Sequence, residues 1–302
     1  MRELFLYCSK SIFTKCAVLI GFSISLIFNP FTLKSEVKNE SKIIQSDTLK
    51  SSDILFTYPT PKELLEVIEK DQITFDKTLL NSVGNEKQYI ETKSRNLNLG
   101  VYIVDLTYSA FFNKRTKIIN YIEIISKLSD NLLISNETRL SIKDGLINNI
   151  EDLDSIYRLT STYYRKIMQE LYVNNNYNVM AIISTGSHIE SIYLSLSSIP
   201  EFANANNLGK KIAEQKNALI SLNNTSKLYG NDLYIKDIMV YQEQILNIYN
   251  QIEYIDKGKI ILIRNSDGTI KFKSTEKALI TEQQFLHLKN AITKIRNDIT
   301  LN

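Results

Sequence analysis

Hydrophobic positions along most of this chain recur at spacings of three and four, the period of a helix that buries one face. Ile118, Tyr121, Ile125, Leu128 and Leu132 form one such stripe, and Ile156, Tyr163, Ile167 and Leu171 form another. Stricter seams follow at Ile238, Tyr241, Ile245, Ile248, Ile252 and Ile255, and at Phe285, Leu288, Ile292, Ile295 and Ile299. The spacing predicts helices over about 85–113, 114–133, 137–150, 153–173, 206–227 and 232–256, and a last one through the seam Phe285 to Ile299, opened by Thr281 with Gln284 as a capping pair. The two seams are expected to pack on each other.

Two stretches break the pattern by being apolar on every side. Residues 97–112 carry one formal charge, Asp105, and residues 177–199 carry one, Glu190. A helix that is hydrophobic all round must be wrapped by others. At roughly 16 residues with Asn98, Asp105, Thr107 and Ser109 inside it, the first is too short and too polar to span a bilayer. Both are expected as central helices of an all-α fold, a multi-helix bundle or stacked helical hairpins. The one β signal is 260–272, two β-branched runs around Asp267-Gly268, which predicts a small hairpin.

Composition sharpens this reading. Only 9 Gly and 4 Pro in 302 residues argue against an all-β or α/β fold and for long helices with short connections. The 36 basic and 33 acidic residues are interspersed without a basic block, so no nucleic-acid partner is expected. Arg2, Lys10 and Lys15 precede an apolar run over 16–28, the layout of an export signal, or of an N-terminal membrane anchor if it is not removed. Residues 1–32 are therefore read as the signal or anchor, 33–57 as a polar tether with isolated apolar clusters at Ile43-Ile44 and 54–56, and 58–302 as the helical domain. Thr60, Pro61 and Glu63 predict its first helix over 61–70. Residues 71–84 are a loop with Ile73, Phe75, Leu79 and Leu80 turned inward. The expected location is the periplasm, or the membrane facing it.

Candidate chemistry is sparse. No cysteine lies beyond Cys16, which removes disulfides and thiol chemistry from the body. Thr185 and Gln284 stand three residues before His188 and His287, so the Glu-x-x-His motif of di-iron bundles is absent and neither metal nor cofactor is expected. Asp105 and Glu190 need an explanation, because an ionised carboxylate in an apolar interior is costly unless paired. Each has a tyrosine three residues on, Tyr108 and Tyr193, and each stretch carries a glycine, Gly100 and Gly186, followed two residues later by Tyr102 and His188. These parallels suggest the remnant of an internal repeat. The acids either satisfy groups inside the bundle or, with Tyr102, Tyr108, His188 and Tyr193, line a pocket for a small ligand or an acid/base pair.

At Tyr58-Pro-Thr-Pro61, at Leu97-Asn-Leu-Gly-Val-Tyr with Asp105-Leu106 and Tyr108, and at Thr185-Gly186 with Ile189-Glu190 and Tyr193, the chain resembles a group of uncharacterised exported helical proteins of Bacteroidetes-type bacteria. The similarity covers about residues 58–256. It implies an all-helical extracytoplasmic protein with no assigned activity, and an aromatic residue at the place of His188. A binding or scaffold protein of the cell envelope, with a protein or small-molecule partner, is the leading expectation. A small-ligand receptor or enzyme is the alternative.

Overall fold

A computed structural model describes residues 42–44, 65, 74–130, 132–199, 201–202, 208–255, 261–264, 270–273 and 277–301. The expected export segment, most of the tether, the 61–70 helix apart from buried helical Leu65, Ile73 and the Asp267-Gly268 turn lie outside these residues. Eight α-helices are described: α1 (Thr92–Phe111), α2 (Arg115–Ser129), α3 (Asn136–Asn148), α4 (Leu153–Val173), α5 (Tyr177–Ser197), α6 (Leu208–Leu228), α7 (Leu233–Tyr249) and α8 (Glu282–Leu301). The fold is an all-α multi-helix bundle around α1 and α5.

Those two helices are the expected central ones. Residues 96–110 of α1 and 180–196 of α5 are all buried, so no side of either helix faces water through its middle. Their small polar residues are accommodated because Thr107, Thr185, Ser191 and Ser195 each donate to the carbonyl four residues back, at 2.7–2.8 Å. The helices cross at their glycines. A Cβ on Gly100 would stand 2.2 Å from the Ile183 carbonyl oxygen, and one on Gly186 would stand 2.0 Å from the Leu97 carbonyl oxygen. Each glycine thus meets the carbonyl three residues before the other, and the backbones touch where no side chain fits.

The packing around this crossing recurs in the two halves. α1 packs on α2 and α4, and α5 packs on α6 and α8; α3 joins α2 to α4 as α7 joins α6 to α8. α4 then touches α5, and α8 touches α1. α1 and α5 thus hold corresponding places in these contacts, except that α5 also packs on α7.

Local chemistry sets the ends. Ser135, Asp152 and Asp232 cap α3, α4 and α7 through bonds of 2.8–3.2 Å to first-turn amides. Thr281 and Gln284 form a reciprocal capping box, Gln284 N–H donating to Thr281 Oγ1 and Thr281 N–H to Gln284 Oε1. Asn113 and Asn175 take φ of 57° after α1 and α4, and the next amides, of Lys114 and Asn176, reach back to Ser109 and Leu171 at 2.8 Å. All five seam residues of α8 are buried, and α8 packs on α7 as expected.

Two helical expectations are corrected. The 85–113 helix begins only at Thr92, preceded by a 3₁₀ turn, Val83–Gln88, because Asn85 and Tyr89 are drawn to the Thr300 carbonyl on α8. The 232–256 helix stops at Tyr249, and Glu253–Ile255 forms β2, paired antiparallel with β5 (Lys277–Leu279). Ile252 is still buried, but Ile255 is 44% exposed, so the seam ends with the helix. The hairpin is present as β3 (Ile261–Arg264) and β4 (Ile270–Lys273). Ile43-Ile44, read as an isolated apolar cluster in a polar tether, belongs to β1 (Lys42–Ile44), which pairs with β3. An edge strand offers unpaired backbone groups that an apolar β-branched segment satisfies well.

Candidate functional site

Past the glycine crossing, α1 and α5 bring Asp105 and Glu190 together in the interior, both 0% exposed. The third member of the cluster comes from α8. Arg296 donates from Nε to Glu190 Oε2 at 3.0 Å and from Nη2 to Oε1 at 3.3 Å, a two-pronged pair that answers one acid. Arg296 was missed by periodicity because it stands beside the α8 seam, between Ile295 and Ile299, as an ordinary boundary arginine would.

The rest of the cluster is filled by the chain's own 79–82 segment. Arg296 Nη2 donates to the Leu79 carbonyl at 3.1 Å, and Asn81 N–H donates to Asp105 Oδ2 at 3.1 Å. Tyr121 and Tyr102 donate to the carbonyls of Asn81 and Ser82, at 3.0 and 2.8 Å. The Asn81 carboxamide donates to Tyr89 Oη and to Asn98 Oδ1, and Asn98 in turn donates to the Ile299 carbonyl at 2.9 Å. A loop that enters a core must have its backbone groups paired, and these side chains pair them. The site therefore holds a peptide segment already.

Electrostatics assign the protons. Burial, and next the proximity of Glu190, hold the Asp105 carboxyl well above the usual carboxylate range, with Arg296 opposing. Asp105 Oδ1 meets no hydrogen-bond partner within the bundle. Burial works against the charge on Arg296, but Glu190 more than offsets it and the pKa is raised.

The other candidates divide. Tyr102 belongs to the cluster through Ser82, and Tyr193 lies beneath Arg296, whose guanidinium carbon is 4.8 Å from the ring centroid. Tyr108 instead accepts from Asp76 N–H at 3.2 Å, away from Asp105's own hydrogen bond. His188 is 2% exposed, its Nε2 has no partner, and burial pushes its pKa down to about 3. It is a neutral core histidine, joined to neither acid by a hydrogen bond.

A second buried polar node was not legible in sequence. Gln242 of α7, 0% exposed, donates to Thr185 Oγ1 at 2.8 Å and Ser226 Oγ at 3.1 Å and accepts from Asn223 Nδ2 at 3.1 Å, tying α5, α6 and α7. Among the described residues no group of three His, Cys, Asp or Glu could hold a metal ion, and no helix is long and apolar enough to cross a membrane. Comparison with protein-family models, curated proteins and solved structures finds no match, so the reading of these sites rests on their own geometry.

Proposed function

We propose that this chain is an exported protein of the cell envelope, related to the extracytoplasmic helical proteins it resembles, and that its helical body acts by binding or scaffolding and not by chemistry at Asp105 and Glu190. One observation carries the second half: both acids are fully buried, and their hydrogen bonds go to Arg296 and to the 79–82 segment. A general acid or base must reach the proton it moves, and a ligand would have to displace four backbone bonds to do so. The first half is supported by the basic-then-apolar N-terminus ahead of a cysteine-free body.

The test is fractionation of cells carrying the full chain with a C-terminal epitope, followed by membrane-impermeant cross-linking of spheroplasts. Recovery in the periplasmic or envelope fraction, with a discrete cross-linked envelope protein, is the expected result. Full-length protein confined to the cytosol overturns the location. A small-molecule turnover that Asp105→Asn abolishes without lowering the melting temperature overturns the non-catalytic reading.

A further inference from the structure

At the end of the bundle away from the acids, the first turns of α1 and α5 open onto a shared cavity of ≈150 Å³, lined by Thr92, Arg95, Asn96, Leu132, Leu133, Asn176 and Val179. It reaches solvent at Thr92 and Leu133, both exposed. We propose that this cleft binds a small organic carboxylate, with its head at Arg95, Asn96 and Asn176 and a short apolar body against Leu132, Leu133 and Val179. The site is separate from the Asp105 cluster and does not depend on the location proposed above.

Four observations carry it. First, neither N-cap side chain, Glu91 of α1 or Asn176 of α5, makes a capping hydrogen bond, and neither helix has an acid in its first turn. The Val179 amide is taken by Asn178 Oδ1, but the Thr92, Lys93 and Ser94 amides of α1 precede the first helical bond, Arg95 N–H to the Glu91 carbonyl. Unpaired amides at a helix start attract an anion. Second, Asn96 is only 2% exposed and lines the cavity, and its carboxamide takes part in no side-chain hydrogen bond within the described residues. That carboxamide is left free to bond a ligand in the cavity. Third, Asn176 Nδ2 is a buried donor that also has no partner. Fourth, Arg95 adds the cationic group; it spends Nη2 on the Ile90 carbonyl at 2.9 Å, and a guanidinium has further donors to offer.

The choice of carboxylate over phosphate or sulfate follows from the walls. One arginine and two carboxamides match a single negative charge, and three aliphatic side chains would be left facing a fully hydrated dianion. A cavity of this volume holds about six heavy atoms, the size of benzene. Butyrate has that size and carries its charge at one end. Glu91, the nearest acid in sequence, is exposed and makes no capping bond, leaving the amides open.

The experiment follows the melting temperature of the full chain against sodium butyrate, phosphate and sulfate, each matched in ionic strength with sodium chloride. The expected result is a saturable rise with butyrate that weakens about tenfold in midpoint concentration in Arg95→Gln, the loss of one charge-assisted contact. Asn96→Leu should abolish it, with circular dichroism confirming a folded variant; Asn176→Leu, at a partly exposed position, serves if Asn96→Leu fails to fold. Three results overturn the proposal: no saturable response to butyrate, a response to phosphate or sulfate alone, or a butyrate midpoint unchanged in Arg95→Gln.

Discussion

Asp105 and His188 are both buried titratable groups, yet they push stability in opposite directions with pH. Asp105 has a raised folded pKa, so below about pH 4 it is protonated in both states, and above that the unfolded chain releases a proton the native state keeps. Its contribution therefore falls as pH rises toward its folded value. His188 has a lowered pKa, so its contribution is present above about pH 6.5 and is lost as pH falls toward about 3. Urea unfolding between pH 4 and 8 should show Asp105→Asn flattening the alkaline decline and His188→Phe flattening the acid one. Asn can still accept from Asn81 N–H, so Asp105→Asn should cost less than about 1 kcal/mol, whereas Asp105→Ala strands a buried amide and should cost about 1–3 kcal/mol. Arg296→Met leaves Glu190 buried without its partner and should cost about 3–5 kcal/mol. Most of that penalty should disappear when Glu190→Gln is added, the coupling measured by a double-mutant cycle.

Among elements, the α1–α5 crossing is the least forgiving contact. A methyl at Gly100 or Gly186 meets backbone carbonyls at about 2 Å, and a carbonyl within a buried helix cannot rotate away as a side chain does. Gly100→Ala or Gly186→Ala should therefore lie at or above the upper end of the usual overpacking cost of about 1–3 kcal/mol, read from thermal or urea unfolding. Glycine in an exposed helix would show the reverse, since alanine is the better helix former. Helix limits were legible where the signals are local: Leu153–Val173 follows from its apolar stripe and the Asn174–Asn176 turn, and the structure adds Asp152 as its cap. The limits failed at 85–91 and 250–255, where Tyr89 and β2 answer to partners more than twenty residues away.

For the whole molecule, the buried bonds tie distant parts of the chain into one cooperative body. The 79–82 segment is held by α1, α2 and α8, with Arg296 reaching Leu79 across 217 residues of sequence. Native-state hydrogen exchange should then give the Asn81 amide protection comparable to the centres of α1 and α5, although it lies outside any α-helix. Free exchange at Asn81 would mean that the loop opens without the bundle. α3, whose buried residues are only Thr138, Ile142 and Leu146, should exchange fastest among the helices.

The residues alone determined that the chain is helical, that 97–112 and 177–199 are central, and that Asp105 and Glu190 go inside with them. Those conclusions rest on the period and completeness of apolar burial, which each segment carries in itself. Only tertiary structure decided what meets the acids. Asn81, Arg296 and Tyr121 come from a loop, a helix flank and an ordinary apolar stripe, and nothing local marks them as partners. The same holds for the cleft between the first turns of α1 and α5, because its open amides and unpaired carboxamides become a site only when two helices 85 residues apart begin side by side.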